Sequence, residues 1–126
     1  MTLDPYNDQA ERPVLDLGYL EYWREFAGNE LPTFLQGLIA DFRQDFALQR
    51  EELQQICAER DVEKLIAQIH RLAGSVGNLG MSRAAALCRQ AERDARQDTF
   101  DGFDTIVAEI DRQVDVGLDA LREYCR

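Results

Sequence analysis

Apolar residues in this 126-residue chain recur at helical intervals in four long segments, and no segment alternates with period two over a useful length. Leu31, Leu35, Leu38, Phe42, Phe46, Leu53 and Ile56, widened by Phe34 and Ile39, trace a first helix of about seven turns, with Pro32 suited to its opening turn. Gln49 breaks that series, and the sequence offers no account of it. Val62, Leu65, Ile66, Ile69, Leu72 and Val76 predict a second helix from about Val62 to Val76, with Asp61 as its cap. A Gly77-Asn78-Leu79-Gly80 turn follows, and Met81 or Ser82 opens a third helix reaching Gln97, whose inner stripe is Ala84, Leu87, Cys88, Ala91 and Ala95. The last helix presents Phe103, Ile106, Val107, Ile110, Val114, Leu118 and Leu121, capped by Thr99 or Asp101. Four amphipathic helices on short connections predict an all-α fold, an antiparallel four-helix bundle running up-down-up-down. An additional short N-terminal helix is expected from the Asp16 cap to Gly28-Asn29, carrying Leu17, Leu20, Trp23 and Phe26. Its apolar face either lids the end of the bundle or serves as a docking patch.

Composition narrows the function classes. The chain has the length for one domain with one core, placed at residues 14–126 behind a polar, flexible tail of residues 1–13. A net charge of −10 argues against nucleic acid and against an anionic membrane surface. There is no apolar run of about 20 residues and no hydrophobic leader, so a cytoplasmic protein is expected. Cys57, Cys88 and Cys125 are widely spaced and read as small buried hydrophobes. With a single histidine and no Cys-x-x-Cys pair, no metal site and no cofactor of its own is expected.

That histidine, His70, has an unusual setting. It lies just off the edge of the second stripe, and its neighbours on the same face are Ala73, Gly74 and Gly77. A glycine inside a helix costs about 1 kcal/mol relative to alanine, so Gly74 calls for a reason. Clearance supplies one: without bulk around the imidazole, something large can approach it. A neutral imidazole carries a free ring-nitrogen lone pair and is a competent nucleophile toward phosphorus. On the third helix, whose small inner residues allow close packing, Glu92 sits at the stripe's edge within reach of the ring. A carboxylate there would accept a hydrogen bond from Nδ1–H and leave Nε2 as the nucleophile; the plain alternative is a solvated glutamate. Arg89, Arg93 and Arg96 make a basic stripe beside Glu92. Arg89 and Arg93 are candidate phosphate contacts, or else part of a charged outer face paired with Asp94, Asp98 or solvent. No Gly-x-x-x-x-Gly-Lys loop is present, and the one lysine is Lys64.

The run His70, Leu72, Gly74, Ser75, Asn78, Leu79 and Gly80 resembles the core pattern of histidine-containing phosphotransfer (HPt) domains. The likeness continues through Leu87, Cys88, Ala91 and Glu92, takes in Leu15-Asp16-Leu17 and Tyr19-Leu20, and covers residues 14 to 125 in outline. The resemblance implies a phosphohistidine carrier in a two-component phosphorelay. Such a carrier is no enzyme with its own ATP site. His70 would accept a phosphoryl group from a receiver-domain aspartate or a kinase and pass it to a response-regulator aspartate. It also implies Glu92 as the residue orienting the ring. The partners would be a receiver domain, which brings its own Mg2+, and a hybrid sensor histidine kinase; a monomer is expected. One position departs: the family's lysine three residues after the histidine is Ala73. The alternative is therefore a docking module that binds a receiver or kinase domain without being phosphorylated.

Overall fold

A computed structural model describes residues 12–125, and among them every regular element is helical. Helix α1 spans Leu17–Ala27, α2 Leu31–Glu59, α3 Val62–Asn78, α4 Ser82–Ala95 and α5 Phe103–Tyr124, with one 3-10 turn, Gly28–Glu30, between α1 and α2. Packing contacts run from α2 to α3, α3 to α4, α4 to α5 and α5 back to α2, closing a ring around one apolar core. None of these helices is long and apolar enough to cross a membrane. Of the expected tail, residues 1–11 lie outside the described residues. Arg12 and Pro13 are tied to the start of α4: Arg83 Nε donates to the Arg12 carbonyl and Ser82 Oγ to the Pro13 carbonyl, both at 2.8 Å.

The ends of the helices follow from local chemistry. Asp16 and Asp61 cap α1 and α3, their Oδ1 atoms accepting from the Tyr19 and Lys64 amides at 3.0 and 3.1 Å. Helix α2 ends on Arg60 in the left-handed region, φ 57°. Its side chain pairs with Asp104 at 2.9 Å and lies over the Phe103 ring, two contacts that favour this uncommon backbone state. Helix α3 continues two residues past the expected Val76, through Gly77 and Asn78, and the reversal falls on Leu79 and on Gly80 at φ 75°. Helix α4 stops at Ala95, short of Gln97. Neither Thr99 nor Asp101 caps α5. Gly102 occupies that place without a side-chain bond, because the Phe100 ring packs edge-on against Phe103 at 4.9 Å and sets the register of the connection.

Helices α3 and α4 make the most extensive contact of any pair. The reason is size: Ala84, Ala85, Cys88, Ala91 and Ala95 are all buried on α4, facing Ile69, Leu72, Ala73 and Val76 of α3. Burial pushes the Cys88 thiol up to about 12, so it packs as an inert hydrophobe. Cys57 is buried as expected, but Cys125 is only partly covered, because it lies just past the end of α5.

Gln49 now has an account. It is 6% exposed, donates from Nε2 to Asp45 Oδ2 at 2.7 Å, and accepts from buried Gln68 of α3 at 3.5 Å. The break in the apolar stripe is one half of a polar bridge across the α2–α3 seam. The α1 stripe departs further from expectation: Leu20 is fully buried and Trp23 half-buried against Phe34, whereas Leu17 and Phe26 are exposed. A three-residue repeat falls about 60° short of a turn each time, so four such residues fan over half the helix and only the middle two can face the bundle.

Candidate functional site

His70 lies on the outer edge of α3 with 77% of its side chain exposed. The neighbouring Ile69 is fully buried, so the backbone beneath the imidazole is fixed while the ring itself stands in solvent. Its Nδ1 is 2.6 Å from Glu92 Oε1 of α4, and that carboxylate is only 18% exposed. An ionised carboxylate offers acceptors alone, so Nδ1 donates in this bond, and in the neutral ring the free lone pair is then on Nε2. The second Glu92 oxygen faces Arg96 Nη2 at 3.9 Å.

The surroundings of the ring form an open hollow of about 330 Å3, lined by His70, Ala73, Gly74, Arg89, Glu92 and Arg93. Ala73 is buried in the α3–α4 seam. A Cβ added at Gly74 would meet nothing within 4 Å, so the fold itself does not require glycine there. At Gly77 such a Cβ would lie 3.8 Å from Arg89 Nη2. Arg93 donates to Gln90 Oε1 at 2.7 Å while still bordering the hollow. Arg96 is outside it.

Residues matched in sequence but absent from the hollow have local roles. Ser75 Oγ donates to the Arg71 carbonyl one turn back, at 3.3 Å. The Asn78 carbonyl accepts from Tyr19 Oη at 2.9 Å, which fastens α1 to the end of α3. Sequence reasoning missed that tie, and also the Gln49–Gln68 bridge buried one residue before Ile69. Half of the signal was there in the second case, since Gln49 interrupts the apolar stripe of α2. Among the described residues no three His, Cys, Asp or Glu side chains gather as a metal site.

The Hpt domain family profile matches residues 37–124 of this sequence. The chain belongs to the Hpt domain family. HPt domains are phosphotransfer carriers that interact with receiver domains in phosphorelays, and this chain is a phosphorelay HPt module. Among solved structures its fold is similar to histidine-containing phosphotransfer protein B (HptB) from Pseudomonas aeruginosa PAO1, with a TM-score of 0.72. The match covers 91% of this chain and 96% of HptB at 19% identity, so the likeness is one of fold. No curated protein matches in sequence.

Proposed function

We propose that this HPt module carries a phosphoryl group on Nε2 of His70. The group would come from a receiver-domain aspartate or a kinase and pass to a response-regulator aspartate, with the bundle running up-down-up-down and α1 added at its end. The observation that carries the reading is the 2.6 Å contact between His70 Nδ1 and Glu92 beside an open hollow. Nε2 attacks the phosphorus of an aspartyl phosphate; the new P–N bond forms as the P–O bond breaks, and its electron pair leaves on the aspartate oxygen. The ring keeps its Nδ1 proton and so gains a positive charge, which the Glu92 carboxylate offsets at hydrogen-bond distance. Phosphoryl transfer depends on positioning and charge neutralisation more than on covalent help. A carrier can therefore leave the Mg2+ and much of the neutralising charge to its partner and needs no ATP site of its own. The receiver's pocket has to close over His70, and Gly74 leaves room for it.

The test is acid-labile phosphate on the protein after incubation with a phosphorylated receiver. Wild type should label and His70→Gln should not. Exposure of the ring means that the substitution leaves the melting transition nearly unchanged. A labelled His70→Gln protein would defeat the assignment. An unlabelled wild type that still binds the receiver would instead identify a docking module, the reading that the missing cation at Ala73 favours.

A further inference from the structure

A phosphoryl group brings roughly two negative charges at neutral pH, and the one positive charge that the ring gains is already offset by Glu92. The chain holds 14 Lys and Arg against 24 Asp and Glu, so acidic side chains outnumber their partners. Several arginines around the bundle are accordingly engaged: Arg24 with Glu21, Arg50 with Asp111, Arg60 with Asp104 and Arg122 with Asp119. Arg43 and Arg71 have no such side-chain partner among the described residues but lie outside the hollow. Near His70, Arg93 is held by Gln90 and Arg96 faces Glu92. Arg89 differs. It lines the hollow with His70, yet it makes no hydrogen bond or ion pair with any described residue.

Its position follows from helix geometry. Arg89 lies three residues before Glu92, about 4.5 Å along the axis. Helix α4 returns along α3 after a three-residue connection, so the displacement is toward Gly74 and Gly77. Arg89 Nη2 reaches a point 3.8 Å from where a Cβ of Gly77 would stand, so the side chain extends across to α3. Alanine at 73 and glycine at 74 and 77 leave a lane in which a guanidinium can lie beside the imidazole.

We propose that Arg89 is the phosphate-holding residue of this site. The proposal rests on His70 being the phosphoryl carrier. Two guanidinium N–H groups donate to oxygens of the phosphoryl group as it is bonded to Nε2, a bidentate fit that arginine geometry favours. Arg93, tied to Gln90, has no part in this contact.

Phosphoramidate, used with the full chain, tests the site without a protein partner. His70 Nε2 forms the new P–N bond, the donor's P–N bond breaks, and the leaving nitrogen takes up a solvent proton and departs as ammonia. Acid-labile phosphate uptake is followed in wild type, Arg89→Ala, Arg93→Ala and Ala73→Lys/Arg89→Ala, with helical content checked by circular dichroism. The Arg89→Ala rate should fall about tenfold, the loss expected for one charged hydrogen-bonding contact, and Arg93→Ala should match wild type. Lysine at 73, on the same hollow, should restore part of the rate, which no purely structural role of Arg89 would allow. A labelled wild type with an unaffected Arg89→Ala rate overturns the proposal alone, as does an equal loss in Arg93→Ala. A double variant as slow as Arg89→Ala also overturns it, since charge would not be what was lost. An unlabelled wild type overturns the carrier reading and this proposal together.

Discussion

Glu92 acts on His70 through a contact, whereas Gly74 acts through the lack of one. Replacing Glu92 by alanine frees the ring to rotate and leaves its developing charge unmatched. Uptake from a small phosphoryl donor should drop by about 10- to 100-fold, the usual cost of losing a group that orients a reactive histidine. Glu92→Gln keeps an oxygen acceptor for Nδ1–H but no charge, so its rate should fall between the two. Equal rates in wild type and Glu92→Ala would show that orientation contributes nothing. Gly74 separates stability from access. Because a Cβ meets nothing there, Gly74→Ala should raise stability by up to about 1 kcal/mol in a denaturant melt. Gly74→Leu should stay folded yet slow transfer from a phosphorylated receiver. A fully active Gly74→Leu variant would remove the clearance argument. Helical spacing alone brought His70 to the rim of one stripe and Glu92 to the rim of the next. The distance between them was not legible, because it depends on how closely the alanines of α4 let two backbones approach.

Elements in this bundle are joined by contacts whose cost can be measured. Gly117 of α5 packs on Met81, which is fully buried, and a Cβ there would stand 2.5 Å from its Sδ and 3.3 Å from its Cβ. Gly117→Ala should therefore destabilise by about 1 to 3 kcal/mol, as overpacking does, although alanine is the better helix former. A neutral or stabilising result would mean that the Met81 connection yields freely. Along the α2–α5 seam, Asp111 has a buried Oδ1 without a hydrogen-bond partner among the described residues, and burial raises its carboxyl above the ordinary value despite Arg50 at 3.5 Å. A raised acid binds its proton longer in the folded state than in the unfolded one. Its penalty is thus absent at acidic pH and grows as pH rises through the window above the usual carboxylate value. Asp111→Asn should gain stability relative to wild type near neutral pH, and the gain should vanish below the ordinary carboxylate range. Urea midpoints at the two pH values check the sign. The caps at Asp16 and Asp61 were readable in sequence, since a short acceptor before an apolar run has one use. The Gly102 cap of α5 was not, because the Phe100–Phe103 ring contact that sets it leaves no periodic trace.

The whole molecule combines an exposed His70 ring on α3 with exposed apolar side chains on α1. Helix α1 is held at the end of α3 by Tyr19 Oη on the Asn78 carbonyl and by the Asp16 amide on the Gly80 carbonyl. Asn78 is eight residues from His70, about 12 Å along α3, well within the radius of one protein interface. On α1, Phe26 is 82% and Leu17 58% exposed, both more open than an isolated domain needs. If these side chains meet the receiver, docking and chemistry become separable. A Leu17→Ser/Phe26→Ser variant should keep its melting transition, since little apolar area is buried at either position. Its uptake from phosphoramidate should equal that of wild type, because the hollow around His70 is untouched. Transfer from a phosphorylated receiver at low concentration should slow by about tenfold or more, the cost of losing apolar anchors at an interface, and high receiver concentration should restore it. Slowing with both donors would place the defect in the fold, and wild-type rates with both would show that Leu17 and Phe26 stay in solvent during transfer.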